Sequence, residues 1–189
     1  MRTFVAIKID VEPVMEEAIR TLQRNLHGER IKWVDMRNLH LTLFFLGETP
    51  DSRIDPIVAG LKGVMDESEP LSITLSGMGV FRNVRDPRVI WIGIDDNPAL
   101  LELQSGISDI LVGFGYRKEN RPFSPHLTIG RPKSIHNRQS LMEEIEKNRN
   151  KFLQELVARE VVFYESMLKE KGPEYRIIEA FRLNRDNRF

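Results

Sequence analysis

Two histidines and two threonines are spaced so that they could do chemistry together. His40-Leu41-Thr42-Leu43 runs on into Phe44-Phe45-Leu46-Gly47, and His126-Leu127-Thr128-Ile129 runs on into Gly130-Arg131. In an extended strand, residues i and i+2 share one face and residue i+1 points to the other. Each phrase therefore sets an imidazole beside a hydroxyl, roughly 6.5–7 Å apart along the strand. Leu41 and Leu43, or Leu127 and Ile129, then turn into a core. Average residue usage gives any pair of histidines this shared context by accident about once in a thousand. Two such strands, 86 residues apart, predict one site with two imidazoles and two hydroxyls.

Two imidazoles titrating near neutrality can divide the work of general acid and general base. One takes a proton from a nucleophile while the other gives one to a leaving oxygen. The two roles need opposite protonation states at one pH, so their surroundings must differ. Two hydroxyls beside them can donate to an anion as charge builds on its oxygens. In-line displacement at phosphorus uses this layout and requires no metal or cofactor. A metal site would want a third ligand at helpful spacing, and no His-Glu-x-x-His or comparable cluster is present. The Gly-x-Ser-x-Gly elbow of a serine hydrolase is also absent. Ser76-Gly77-Met78-Gly79 and Gly113-Phe114-Gly115 read as turn geometry rather than phosphate cradles. His27, at a helix end, and His136, at a helix start, read as surface residues.

Composition narrows the classes. Lys+Arg and Asp+Glu both number 28 in 189 residues, so formal net charge is zero. A long grip on nucleic acid usually needs a basic excess, so any such contact is expected to be short, such as an end. With no cysteine, disulfides, thiolate zinc sites and cysteine nucleophiles drop out. The start, Met1 to Asp10, is charged too early for a signal segment, and no apolar run approaches a membrane span. The expectation is a soluble, cytoplasmic protein.

The elements around the two phrases follow from periodicity. A strand is predicted over 3–9, then a helix from Pro13 to about His27, with Asp10 as cap and Val14, Ala18, Ile19, Leu22 and Leu26 at helical spacing. A short extended piece at 31–34 precedes the first His-Thr strand, about 39–46. A helix over 51–67 and a strand over 71–75 follow, with Gly77 and Gly79 marking a turn or bulge. A strand at 88–94 leads through Asp96-Asn97-Pro98 into a helix over 97–112. A loop carrying Arg117, Lys118 and Arg121 enters the second His-Thr strand, and Pro125 suggests that its edge is not fully paired there. A charged helix at 137–148 and strands at 160–168 and 175–183 close the chain, whose polar last residues are expected to fray. The spacing repeats beyond the phrases. Ile7-Lys8-Ile9-Asp10 echoes Ile92-Gly93-Ile94-Asp95, each before a Pro-started helix, and 71–75 falls on 157–161 at the 86-residue offset. The reading is an α+β chain, one pseudo-symmetric domain over 1–189 made of two similar lobes. Each lobe is an antiparallel sheet with helices on its outer face, and the His-Thr strands meet across a central cleft. Which lobe the final strand completes is left open by the pattern.

The paired His-x-Thr-x phrases resemble the two-histidine (2H) phosphoesterase superfamily. Within it the chain is most similar to the RNA 2',3'-cyclic phosphodiesterases, also called 2'-5' RNA ligase-like proteins. The resemblance spans nearly the whole chain. It takes in Met1-Arg2-Thr3-Phe4-Val5-Ala6, Trp33 through Gly47, Gly79-Val80-Phe81, Pro87 to Trp91, Pro122 through Arg131, Tyr164-Glu165-Ser166 and Gly172-Pro173-Glu174-Tyr175. It implies hydrolysis of a 2',3'-cyclic phosphate at an RNA end to a 2'-phosphate, and it extends to weak joining of ends through a 2'-5' bond. By analogy His40 would be the proton donor, His126 the proton acceptor, and Thr42 and Thr128 the phosphate holders. The two phrases are too alike to order the histidines by themselves. Arg131 would add charge at the phosphate or pair on the surface. Phe45, placed on the His side of its strand on condition that no bulge intervenes, would stack a base or pack. Trp33 and Trp91 read as core packing. The implied partner is an RNA end or oligonucleotide with a 2',3'-cyclic phosphate, handled by a monomer. The alternatives are an RNA-end or nucleotide binding module without turnover, and a phosphodiesterase of small cyclic nucleotides.

Overall fold

The computed structural model describes residues 1–82, 85–118, 120–170 and 172–183. The expectation for the polar last residues lies outside them. Among the described residues, nine strands form one curled, antiparallel sheet: β1 (Arg2–Lys8), β2 (Arg30–Trp33), β3 (His40–Glu48), β4 (Leu71–Phe81), β5 (Val89–Ile94), β6 (His126–Ser134), β7 (Phe152–Ala158), β8 (Glu160–Lys169) and β9 (Gly172–Arg182). Their order is β7-β4-β5-β6-β3-β1-β8-β9, with β2 paired to the far end of β6. The helices α1 (Pro13–Asn25), α2 (Ile54–Asp66), α3 (Pro98–Gly113) and α4 (Arg138–Lys147) cover the sheet.

The strand order is a palindrome. At an offset of 85–86 residues β1 maps onto β5 and β3 onto β6, and β4 overlaps β8. The run β3-β1-β8 mirrors β6-β5-β4. The halves of the sequence are therefore not the halves of the structure. Strand β8, from the second half, completes the sheet of β1, and β4, from the first half, completes the sheet of β5. Strand β9 pairs β8, so the final strand belongs beside β1 and β3. The helices cross over in the same manner: α1 packs on β7 and α4, while α3 packs on β3 and α2.

The helices form where apolar spacing and caps allow. Asn97 accepts from the Leu100 amide at 3.0 Å, and Asn137 from the Ser140 amide at 3.0 Å, each satisfying an otherwise orphaned donor. Helix α1 begins at Glu12-Pro13 with no side-chain cap, so Asp10 is not its cap. Met15 rather than Val14 faces the core there, and Val14 is exposed. Strand β7 is absent from the sequence reading. Its Phe-Leu-Gln-Glu-Leu-Val-Ala is short, follows a helix and lies at the sheet edge with Phe152 exposed, so its alternation is weak. Strand β4 runs on past the expected end at Leu75, because Gly77, at φ 71°, takes up a bulge rather than a turn.

Candidate active site

The two His-Thr strands touch at one rung. Leu41 lies opposite Leu127, and no other β3–β6 pair is in register. Both leucines are fully buried, so they fix the strands from the core side. On the opposite face, extending that antiparallel register by one residue each way would set His40 across from Thr128, and Thr42 across from His126. In an unflared ladder the two histidines would be diagonal neighbours, about 7–8 Å apart. One phosphate-sized anion fits between such a pair. All four side chains are partly exposed. Neither threonine hydroxyl has a protein hydrogen-bond partner among the described residues, which leaves both hydroxyls free for a ligand.

Each histidine is held in the same way. The His40 Nδ1 lies 2.7 Å from the Asn38 carbonyl oxygen, and the His126 Nδ1 lies 2.7 Å from the Ser124 carbonyl oxygen. A carbonyl only accepts, so Nδ1 carries the proton in both rings and Nε2 is the nitrogen left to exchange one. The accepting carbonyl lies two residues before each histidine: Asn38 ends a 3-10 turn, Met36–Asn38, capped by Asp35, and Ser124 stands before Pro125 in the irregular segment that enters β6.

The bulges settle the neighbours. Along β1–β3, Phe4 faces Phe45, Val5 faces Phe44, Ala6 faces Thr42 and Lys8 faces His40, which leaves Leu43 as an extra residue. Strict alternation from His40 would put Phe44 on the histidine face. The bulge instead sends Phe44 into the core and brings Phe45 round, so the condition attached to Phe45 is inverted. Phe45 is 47% exposed, and the Arg2 guanidinium sits 5.0 Å from its ring centre. The same bulge occurs 86 residues on. Ile90 faces Gly130 and Trp91 faces Thr128, which leaves Ile129 as the extra residue. Arg131 thus occupies the place in β6 that Phe45 occupies in β3, on the cleft face. Trp33 packs on the core side, against Gly130. Trp91 does not pack there. It lies opposite Thr128 on the cleft face, its ring flat over Gly79 and its Nε1 buried without a partner. Arg117, Lys118 and Arg121 are exposed in the loop before β6, and His27 and His136 are exposed, His27 bonded to the Arg24 carbonyl and His136 beside Glu29.

The sequence reading missed the aromatic wall around the histidines. The Phe4 ring centre is 5.0 Å from that of His40, and Tyr175 meets His40 edge-on at 5.2 Å. Tyr164 stacks on Phe4 at 5.1 Å. Phe81 meets His126 edge-on at 4.6 Å. These four residues lie in stretches shared with the phosphoesterase family, and that was the available signal. Beyond Lys8 and Tyr164 a groove of about 840 Å³ continues the same face between β1, β7, β8 and β9. The two imidazoles have different surroundings. Burial among the rings pushes the His40 imidazole below its ordinary value. Its bond to the Asn38 carbonyl opposes that, and the Arg131 charge adds to it. Burial also holds the Tyr175 proton more tightly, with Arg131 opposing. Among the described residues no three of His, Cys, Asp or Glu are grouped to hold a metal ion.

A family model described as the 2'-5' RNA ligase superfamily matches residues 11–167. The chain belongs to the 2'-5' RNA ligase superfamily. Among its relatives in that superfamily, an RNA 2',3'-cyclic phosphodiesterase of Methanocaldococcus jannaschii is 37% identical over 182 residues, covering 96% of this chain and all of that protein. One of Methanothermobacter thermautotrophicus is 32% identical, covering 97% and 99%. The crystal structure of TT0787 of Thermus thermophilus matches with a TM-score of 0.79 at 27% identity, covering 97% of this chain and 98% of that one. The fold is also that of E. coli LigT complexed with 3'-AMP, at a TM-score of 0.76 and 24% identity over 97% of this chain and 98% of that one. The superfamily's α+β fold, with its curled antiparallel sheet, is the fold seen here.

Proposed function

We propose that the protein hydrolyses the 2',3'-cyclic phosphate at an RNA end to a 2'-phosphate, using two imidazoles as acid and base. The observation that carries this reading is the matched pair of Nδ1-anchored histidines, each beside a free threonine hydroxyl, flanking the single rung that joins β3 and β6. A binding module needs anion donors but has no use for two imidazoles whose exchangeable nitrogens are both kept clear. The relatives named above are RNA 2',3'-cyclic phosphodiesterases, in agreement with this substrate.

His126 is assigned as proton acceptor: its Nε2 takes a proton from water as the water oxygen bonds to phosphorus. The P–O3' bond breaks, and His40 Nε2 gives its proton to O3'. Water has then supplied OH to phosphorus and, through the two rings, H to the ribose. Burial and Arg131 make the His40 imidazolium a better proton donor than an ordinary one, and the negative charge of a bound phosphodiester acts in the opposite sense to Arg131, favouring the protonated ring. Thr42 and Thr128 donate to the equatorial oxygens, where charge grows in the transition state. Arg131 adds its positive charge there, and Phe45 stands at the rim as a face for a base. A ribose hydroxyl in place of water would give weak 2'-5' joining by the same transfers. The chain 1–189 is read as one pseudo-symmetric domain acting as a monomer in the cytoplasm. Among the described residues no helix is long and apolar enough to cross a membrane.

The test is a short RNA ending in a 2',3'-cyclic phosphate, incubated with purified protein and a chelator, followed by end-group analysis. Conversion to a 2'-phosphate that is lost in both His40→Ala and His126→Ala is the expected outcome. Conversion that survives either substitution, or that requires added metal, overturns the two-imidazole assignment.

A further inference from the structure

Of the three tyrosines in the chain, two carry hydroxyls that the fold does not use. The Tyr116 hydroxyl donates to Thr49 Oγ1 at 3.2 Å. Among the described residues the hydroxyls of Tyr164 and Tyr175 have no protein partner, and neither is enclosed. Tyr175 is the one that meets an imidazole. Its ring, that of Phe4 and that of His40 form a triangle with sides of 5.0, 5.1 and 5.2 Å. The strand that carries Tyr175 is also tied to the anchor of the histidine. Asn38 accepts from His40 Nδ1 through its carbonyl, and its side-chain amide donates to the Pro173 carbonyl at 3.4 Å, two residues before Tyr175. Arg176, the next residue, bonds Glu165 of β8 at 2.7 Å.

Burial makes the Tyr175 phenol hold its proton, so it is a donor at neutral pH. The Arg131 charge acts on this phenol and on His40 alike, so the hydroxyl stands within reach of the charge at the phosphate. On the other side of the site the ring against His126 is Phe81, which has no polar atom. The free hydroxyl is therefore a feature of the His40 side, where the leaving oxygen must lie.

The proposed transfers leave one choice open. A 2',3'-cyclic phosphate offers two ribose oxygens, and either could leave. In-line attack sets the leaving oxygen opposite the water, at His40. The five-membered ring then keeps the other ribose oxygen at the equator, beside the two oxygens that Thr42 and Thr128 hold. A donor to this third equatorial oxygen decides which way round the ribose sits. Resting on the function proposed above, we infer that the Tyr175 hydroxyl donates to O2' and so presents O3' to His40. Breaking P–O3' leaves a 2'-phosphate. With the ribose turned over, P–O2' would break and leave a 3'-phosphate.

The experiment compares Tyr175→Phe with the wild type on a short RNA ending in a 2',3'-cyclic phosphate. It reads kcat, KM and the ratio of 2'- to 3'-phosphate ends, with thermal melting as the check on the fold. Phenylalanine keeps the ring against His40 and Phe4 and removes the donor. We expect kcat to fall about tenfold with little change in KM, the size of one hydrogen bond, and the end ratio to fall by a similar factor. A ring that only packs would not move that ratio, so an unchanged ratio overturns the inference whatever the rate. If the wild type opens no cyclic phosphate, the proposed reaction fails, and binding decides the contact by itself. The preference for an RNA with a 2'-phosphate end over one with a 3'-phosphate end should then drop about tenfold in Tyr175→Phe, and an unchanged preference overturns the contact.

Discussion

Replacing Gly79 by alanine tests whether the aromatic wall positions the chemistry. A Cβ built on Gly79 would lie 2.2 Å from the Trp91 ring, with two more ring atoms at 2.4 and 2.7 Å. Ordinary contact begins near 3.4 Å, so the ring must withdraw by more than an ångström. Trp91 stands opposite Thr128, and its ring centre is 5.5 Å from that of Phe81, which meets His126 edge-on. The displacement therefore passes to the Thr128 hydroxyl and to the His126 imidazole. Misplacement by about 1 Å can cost on the order of 100-fold in rate, and overpacking costs typically about 1–3 kcal/mol of stability. We expect kcat for Gly79→Ala to fall about 10–100-fold with little change in KM. In a Trp91→Leu background, where the ring is gone, the further cost of the alanine should nearly vanish. The assays are steady-state kinetics on the cyclic-phosphate RNA and thermal melting of all four proteins. Wild-type kcat in Gly79→Ala, or an equal cost of the alanine with and without the ring, would refute the reasoning.

Thr42→Val and Thr128→Val keep the side-chain shape and remove one donor each. Each should lower kcat by roughly 10²-fold, as loss of one transition-state donor does, and leave the melting temperature near wild type; an unchanged kcat would remove that hydroxyl from the mechanism. His40 titrates below its ordinary value when folded, so the unfolded chain binds more protons as pH falls from the ordinary histidine value of 6.5. Its contribution thus lowers stability on acidification through that window and vanishes above it. In Arg131→Met the folded-state titration of His40, followed by NMR, should move upward, because a like charge has been removed; a downward or absent shift would show that Arg131 does not act on this ring.

The site was legible because its residues recur in a local pattern. His40, Thr42, His126 and Thr128 declare themselves by the period of a strand, and the anchoring leucines by the alternate positions. Asn97 and Pro98 declare a helix start for the same local reason. What could not be read depends on pairing between distant segments. Tyr175 reaches His40 from 135 residues away across two intervening strands, β8 and β1, and nothing near either residue encodes the meeting. The facing of Phe45 depends on the bulge at Leu43, which strict alternation does not show, whereas Trp91 alternates regularly with the buried Ile90 and Ile92 and its facing was open to a period-two reading. The exchange of β4 and β8 between the two halves of the sheet depends on such distant pairing. A repeat in sequence reports which strands are alike, and it does not report which of them pair.

That exchange has a consequence for how the chain comes off the ribosome. Strands β1 and β3 can pair as soon as both are made, but the other edge of β1 waits for β8, more than 100 residues later. At roughly 5–20 residues per second, that edge stays open for about ten seconds. Edge backbone left open invites pairing with a stranger. Lys8 at one end of β1 and Arg2 at the other put a charge at each end of the waiting strand, where natural sheets place charges to discourage such encounters.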